Sequence, residues 1–189
     1  MAMTRGVNYT RFKAIAYRCA VYSAALFLLA VAQVTFFAKL DILGATPDLL
    51  LGAVTIICMR EDVKVSSICG AIAGLFYCSL GCVGYPLYLP FSFICAYLLR
   101  VLAVRSFGRN YPSFLALCVT AFFAKAVFNF AEVIITSSSF ALFATLTKIV
   151  LPEFIASMLF CSVSYAIINP ISKIINKSNR RKEHVANER

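Results

Sequence analysis

With 189 residues, 61% hydrophobic and 14% charged, and a mean hydropathy of +0.85, the chain lies far from the roughly 45–50% apolar and ~25% charged usage of water-soluble domains. About six apolar segments consume most of its length and leave no room for a separate soluble domain, so one integral membrane domain is expected. The net charge of +10 comes from eighteen Lys and Arg gathered between apolar segments and at both ends, a pattern of membrane topology rather than of a nucleic-acid partner.

In chain order, residues 1–15 form a polar, basic N-terminus. Six apolar spans follow at about 16–38, 47–59, 65–81, 86–104, 113–135 and 149–170, and a basic tail covers 171–189. The first span is too long for a signal-peptide core and has no clear small-residue cleavage site, so it reads as uncleaved. All six should be helices, because backbone in lipid must satisfy its own hydrogen bonds. The second is the shortest, and Arg60 beyond it has to snorkel to water or the bilayer has to thin locally.

Counted on alternate sides of these spans, fifteen Lys and Arg fall with the two termini, only Lys39 and Lys148 fall opposite, and Lys125 lies within the fifth span. The positive-inside rule then puts both termini in the cytoplasm, and dropping one span would scramble the bias. The fold expected is an all-α integral membrane protein with six transmembrane helices in a cell membrane. The tail suits anionic lipid at the cytoplasmic face or serves simply as a topology anchor.

The second span opens with GATPDLLLG. Thr46 can cap the helix, Pro47 can take its first position, and Asp48 then falls in the first turn, facing the positive end of the helix dipole on the outer side. The same syntax recurs at Leu151-Pro152-Glu153, the start of the sixth span. Pro86 and Pro112 also mark helix starts, whereas Pro90 stands one turn into the fourth span, where it can kink the helix. In the third span Gly70 and Gly74, four apart, permit close helix approach, either within the chain or to a partner.

Lys125, Asn129 and Glu132 share one face of the fifth span. Lys125 sits about twelve residues, or ~18 Å, from the inner end. An ammonium at that depth costs roughly 2.5–3.5 kcal/mol, so it must face protein or water. Glu153 lies at similar outer depth to Glu132 and can partner this face. A buried cluster that fixes helix register, a polar groove for a partner helix and a small-ligand site all remain open.

Chemistry is poorly provided for. The eight cysteines form no C-x-x-C pair and nearly all lie in apolar runs as small packing residues. His184, in the tail, is the only histidine. Neither a His-based zinc site nor a Ser-His or Cys-His nucleophile can therefore be assembled in the membrane, and no catalysis, metal or cofactor is expected.

Gln33, Gly44-x-x-Pro47-Asp48-Leu-Leu-Leu51, Gly70-x-x-x-Gly74-Leu75, Gly81 and Gly84 follow one another in an order that resembles the MreD family of rod shape-determining membrane proteins. The resemblance covers about the first hundred residues, and the remainder agrees in hydropathy. Cys78 stands where the family usually has an aspartate. The resemblance implies a non-enzymatic component of the cell-elongation machinery, partnered by an MreC-like bitopic protein, the MreB filament, RodA and a class B penicillin-binding protein. It also implies a fold similar to the substrate-binding subunits of energy-coupling-factor vitamin transporters. A subunit of that second kind, with substrate held near Lys125, Glu132 and Glu153, is the competing expectation. Candidate partner- or ligand-binding residues are therefore Pro47, Asp48, Gly70, Gly74, Lys125, Asn129, Glu132 and Glu153.

Overall fold

A computed structural model describes residues 2–37, 46–80, 87–106, 108, 110–136 and 151–187. These residues form six α-helices: α1 Ala2–Thr35, α2 Leu49–Arg60, α3 Val63–Ser79, α4 Tyr88–Ser106, α5 Tyr111–Thr136 and α6 Leu151–Asn187. Four contain stretches long and apolar enough to cross a membrane: Phe12–Thr35, Tyr88–Arg105, Tyr111–Glu132 and Leu151–Ile175. Among the described residues all regular structure is thus helical, and the protein has membrane character. Both outer helices overrun the expected spans, α1 starting at Ala2 and α6 continuing past residue 170 to Asn187.

The six-span expectation needs qualification at α2 and α3, which have 12 and 17 residues. At ~1.5 Å per residue α2 is only ~18 Å long, well short of a ~30 Å hydrocarbon core. It is nevertheless the centre of the fold. Every residue from Leu49 to Met59 is buried, and α1, α3, α4, α5 and α6 all pack against it. A helix apolar on every side must be covered on every side. Here the cover is protein, and the exposed large apolar side chains lie on the other helices, among them Leu28, Ile68, Ile94, Phe123 and Leu159.

Small residues set the two closest contacts. A Cβ placed on Gly70 would stand 2.4 Å from Ala96 Cβ and 2.8 Å from the Ser92 carbonyl oxygen, and one on Gly74 would stand 2.9 Å from Leu89 Cα. The α3 backbone therefore lies directly on α4, and the Ser92 hydroxyl donates to the Gly70 carbonyl at 2.7 Å. Against α6, a Cβ on Gly52 would meet Ser164 Oγ at 3.1 Å, and that hydroxyl donates to the Leu49 carbonyl at 2.9 Å. Ser157, Cys161, Ser164, Ile168 and Ser172, all buried, form one stripe along α6.

Helix starts differ in detail from expectation. α2 begins at Leu49 with Asp48 as its cap (φ −96°, ψ 98°), so Thr46 does not cap and Pro47 precedes the helix. Asp48 wins the position because its carboxylate reaches the third helical N–H. Pro90 is the third residue of α4, inside the first turn, where its missing N–H breaks no helical bond and no kink is required. Gly81, Gly84 and Pro86 lie outside the described residues, as does Gly44.

Candidate functional site: buried charge at the ends of α2

The N-terminal end of α2 leaves three first-turn N–H groups without a helical partner. Gln33 of α1 supplies one oxygen, Oε1, which accepts from Leu49 N at 3.1 Å and Leu50 N at 3.3 Å. Asp48 Oδ1 accepts from Leu51 N at 3.0 Å. The Asp48 N–H in turn donates to Ser157 Oγ of α6 at 3.0 Å. All three first-turn donors are met by side chains of this chain.

The second carboxylate oxygen of Asp48 faces α5, where Lys125 Nζ lies 2.5 Å from Oδ2 and 2.6 Å from Glu153 Oε1 of α6. Side-chain exposure is 1% for Asp48, 9% for Lys125 and 23% for Glu153, so Glu153 is the arm that reaches outward. Asn129, one turn along α5, donates from Nδ2 to Glu153 Oε2 at 3.0 Å. The lysine also sits over the rings of Tyr77 and Tyr88, 5.3 and 5.8 Å from their centroids, so two carboxylates and two π faces surround one ammonium. The hydroxyls of both tyrosines are buried with no hydrogen-bond partner among the described residues.

Of the residues expected at the site, Asp48, Lys125, Asn129 and Glu153 meet in one network. Pro47 is buried immediately beside it. Glu132 is half-buried and does not join the Lys125 ion pairs. Gly70 and Gly74 lie elsewhere: their face is occupied by α4, so of the two uses the spacing allowed, packing within the chain and contact with a partner, it is the first that the structure shows. A glycine pair reports close approach, and the approach is satisfied within the chain.

The C-terminal end of α2 carries a second network that the sequence reading did not anticipate. Glu61, whose side chain is fully buried, pairs with Arg18 Nη1 at 2.8 Å and accepts from the Tyr22 hydroxyl at 2.8 Å. That hydroxyl also lies 3.0 Å from Ser172 Oγ, tying α1 to α6. Arg60 donates to Asn169 Oδ1 at 2.8 Å, so its guanidinium is held by α6. Arg100 Nη1 reaches the carbonyls of Cys58 and Met59 at 3.2 and 3.5 Å, where a cation meets the negative end of the helix.

Chemically, this arrangement holds charge in place. Asp48 spends its oxygens on Lys125 and on the backbone of α2, and Lys125 spends its ammonium on Asp48 and Glu153. The open space beside Lys125, Glu153 and Ser157 has a volume of about 10 Å³, close to the smallest that holds a single water. Compared with protein-family models, with curated proteins and with solved structures, the chain matches none.

Proposed function

We propose that this chain is a non-catalytic membrane scaffold of the MreD type, serving the bacterial machinery that organises side-wall peptidoglycan synthesis. One observation carries the reading. Gln33, Asp48, Gly70 and Gly74, residues on which the resemblance rests, each fasten one helix to another, so the motif describes a packed architecture. Its partners would be an MreC-like bitopic protein, an MreB filament, RodA and a class B penicillin-binding protein, met through exposed helix faces rather than through the glycine pair.

The same reading has six crossings with both termini cytoplasmic, supported by the fifteen-to-two distribution of Lys and Arg. The shortness of α2 is compatible with a crossing, because a helix sheathed in protein and capped by protein charges does not have to match the lipid. Co-expression with the MreC-like protein of the same cell tests the assignment. Stoichiometric co-purification is expected, and its absence from membranes holding both proteins would sink it.

A vitamin-carrier subunit is the competing reading. The ~10 Å³ beside Lys125, against the roughly 300–1,000 Å³ of small-molecule sites, favours the scaffold. Native mass spectrometry showing a vitamin bound near Glu153 would reverse that preference.

A further inference from the structure

Between α4 and α5 runs an open groove of about 440 Å³ whose wall extends from Leu87, just before α4, to Leu102 and on α5 includes Thr120, Ala124 and Phe128. Fifteen residues of helix make it ~22 Å long, and with the radius of the atoms that fill it included its mean width is about 7–8 Å. A helix ~10–12 Å in diameter is too thick to seat inside it. One extended hydrocarbon chain, whose carbons pack at about 3.5–4.0 Å from their neighbours, seats within it along its length. The lining is apolar apart from the Thr120 hydroxyl, and that donates to the Ala116 carbonyl at 2.9 Å within its own helix.

The groove also has a polar end. Leu98, Leu102 and Arg105 are spaced i, i+4, i+7 and share one face of α4. Arg105 occupies the last helical turn and is exposed, one turn beyond the last lining leucine. A guanidinium one turn beyond the end of an apolar groove is placed for a phosphate. We infer that the α4–α5 groove seats one acyl chain of an anionic phospholipid whose headgroup phosphate is held by Arg105. This lipid would be an ordered component of the protein, distinct from the surrounding bilayer and independent of the scaffold assignment.

The test is native mass spectrometry of the full chain in detergent, offered phosphatidylglycerol and phosphatidylcholine with identical chains. One phosphatidylglycerol per chain should survive delipidation and exceed phosphatidylcholine several-fold. Ala124→Phe and Thr120→Phe, which fill the groove, should each lose it. Val119→Phe, exposed outside the groove, should retain it. Arg105→Gln should keep one lipid while the headgroup preference falls to near parity. This variant alters only an exposed side chain, so it decides the matter even where the filling variants do not fold. A chain that strips clean, groove-filling variants that retain lipid, an unchanged preference in Arg105→Gln, or a second protein copy in place of lipid would each overturn the proposal.

Discussion

Asp48 does two things with two oxygens: Oδ1 caps α2 and Oδ2 pairs with Lys125. The two roles can be separated. Asp48→Asn keeps a good cap and leaves Lys125 its Glu153 partner, whereas Lys125→Met strands two carboxylates of which one is 1% exposed. Removing one member of a buried pair costs roughly 3–5 kcal/mol. Lys125→Met should reach that range, Asp48→Asn should fall below it, and the double variant should be more stable than Lys125→Met alone. Thermal unfolding followed by a thiol-reactive dye can measure this, because Cys58, Cys69, Cys95, Cys118 and Cys161 are buried free thiols. Equal losses for the two single variants would show that charge is not what holds this end together.

For the elements, the decisive contact is α3 on α4. Gly70→Ala puts a methyl 2.4 Å from Ala96 Cβ, and overpacking of this kind costs about 1–3 kcal/mol. Ala96→Gly in the same chain should restore part of the loss, with the Ser92 carbonyl at 2.8 Å limiting recovery. The same melt reads the result, and no recovery would mean that Ala96 is not the obstacle. Any loss of a binding partner on enlarging Gly70 should accordingly track loss of fold. Much of this level was legible in the sequence. Helix positions followed from hydropathy, the i, i+4 spacing put Lys125 and Asn129 on one face, and span counting put Glu153 at a depth from which it can partner that face. The encounter of Asp48 with Lys125, 77 residues apart, was not legible, because no periodicity within one helix encodes how another crosses it. Glu61 was missed for a related reason: an acid between two spans looks solvated until Arg18, Tyr22 and Ser172 converge on it.

In the whole molecule, α2 is a buried post fastened at both ends. The fastening at its N-terminal end uses Gln33, Lys125 and Ser157, and the one at its C-terminal end uses Arg18, Tyr22 and Ser172 around Glu61. No side chain belongs to both, and the ends stand ~18 Å apart. Sites more than ~7–10 Å apart without shared partners add within about 0.3–0.5 kcal/mol. Glu61→Gln keeps an acceptor for Tyr22 but loses the charge facing Arg18, a loss of about 1.5–3 kcal/mol. Combined with Asp48→Asn, its effect should simply add. The contrast is with Asp48→Asn and Lys125→Met, which share one ion pair and should not add. A double-mutant cycle with coupling well beyond ~0.5 kcal/mol between the two ends would require α1 or α6, the helices that serve both fastenings, to shift as a whole when one end is released.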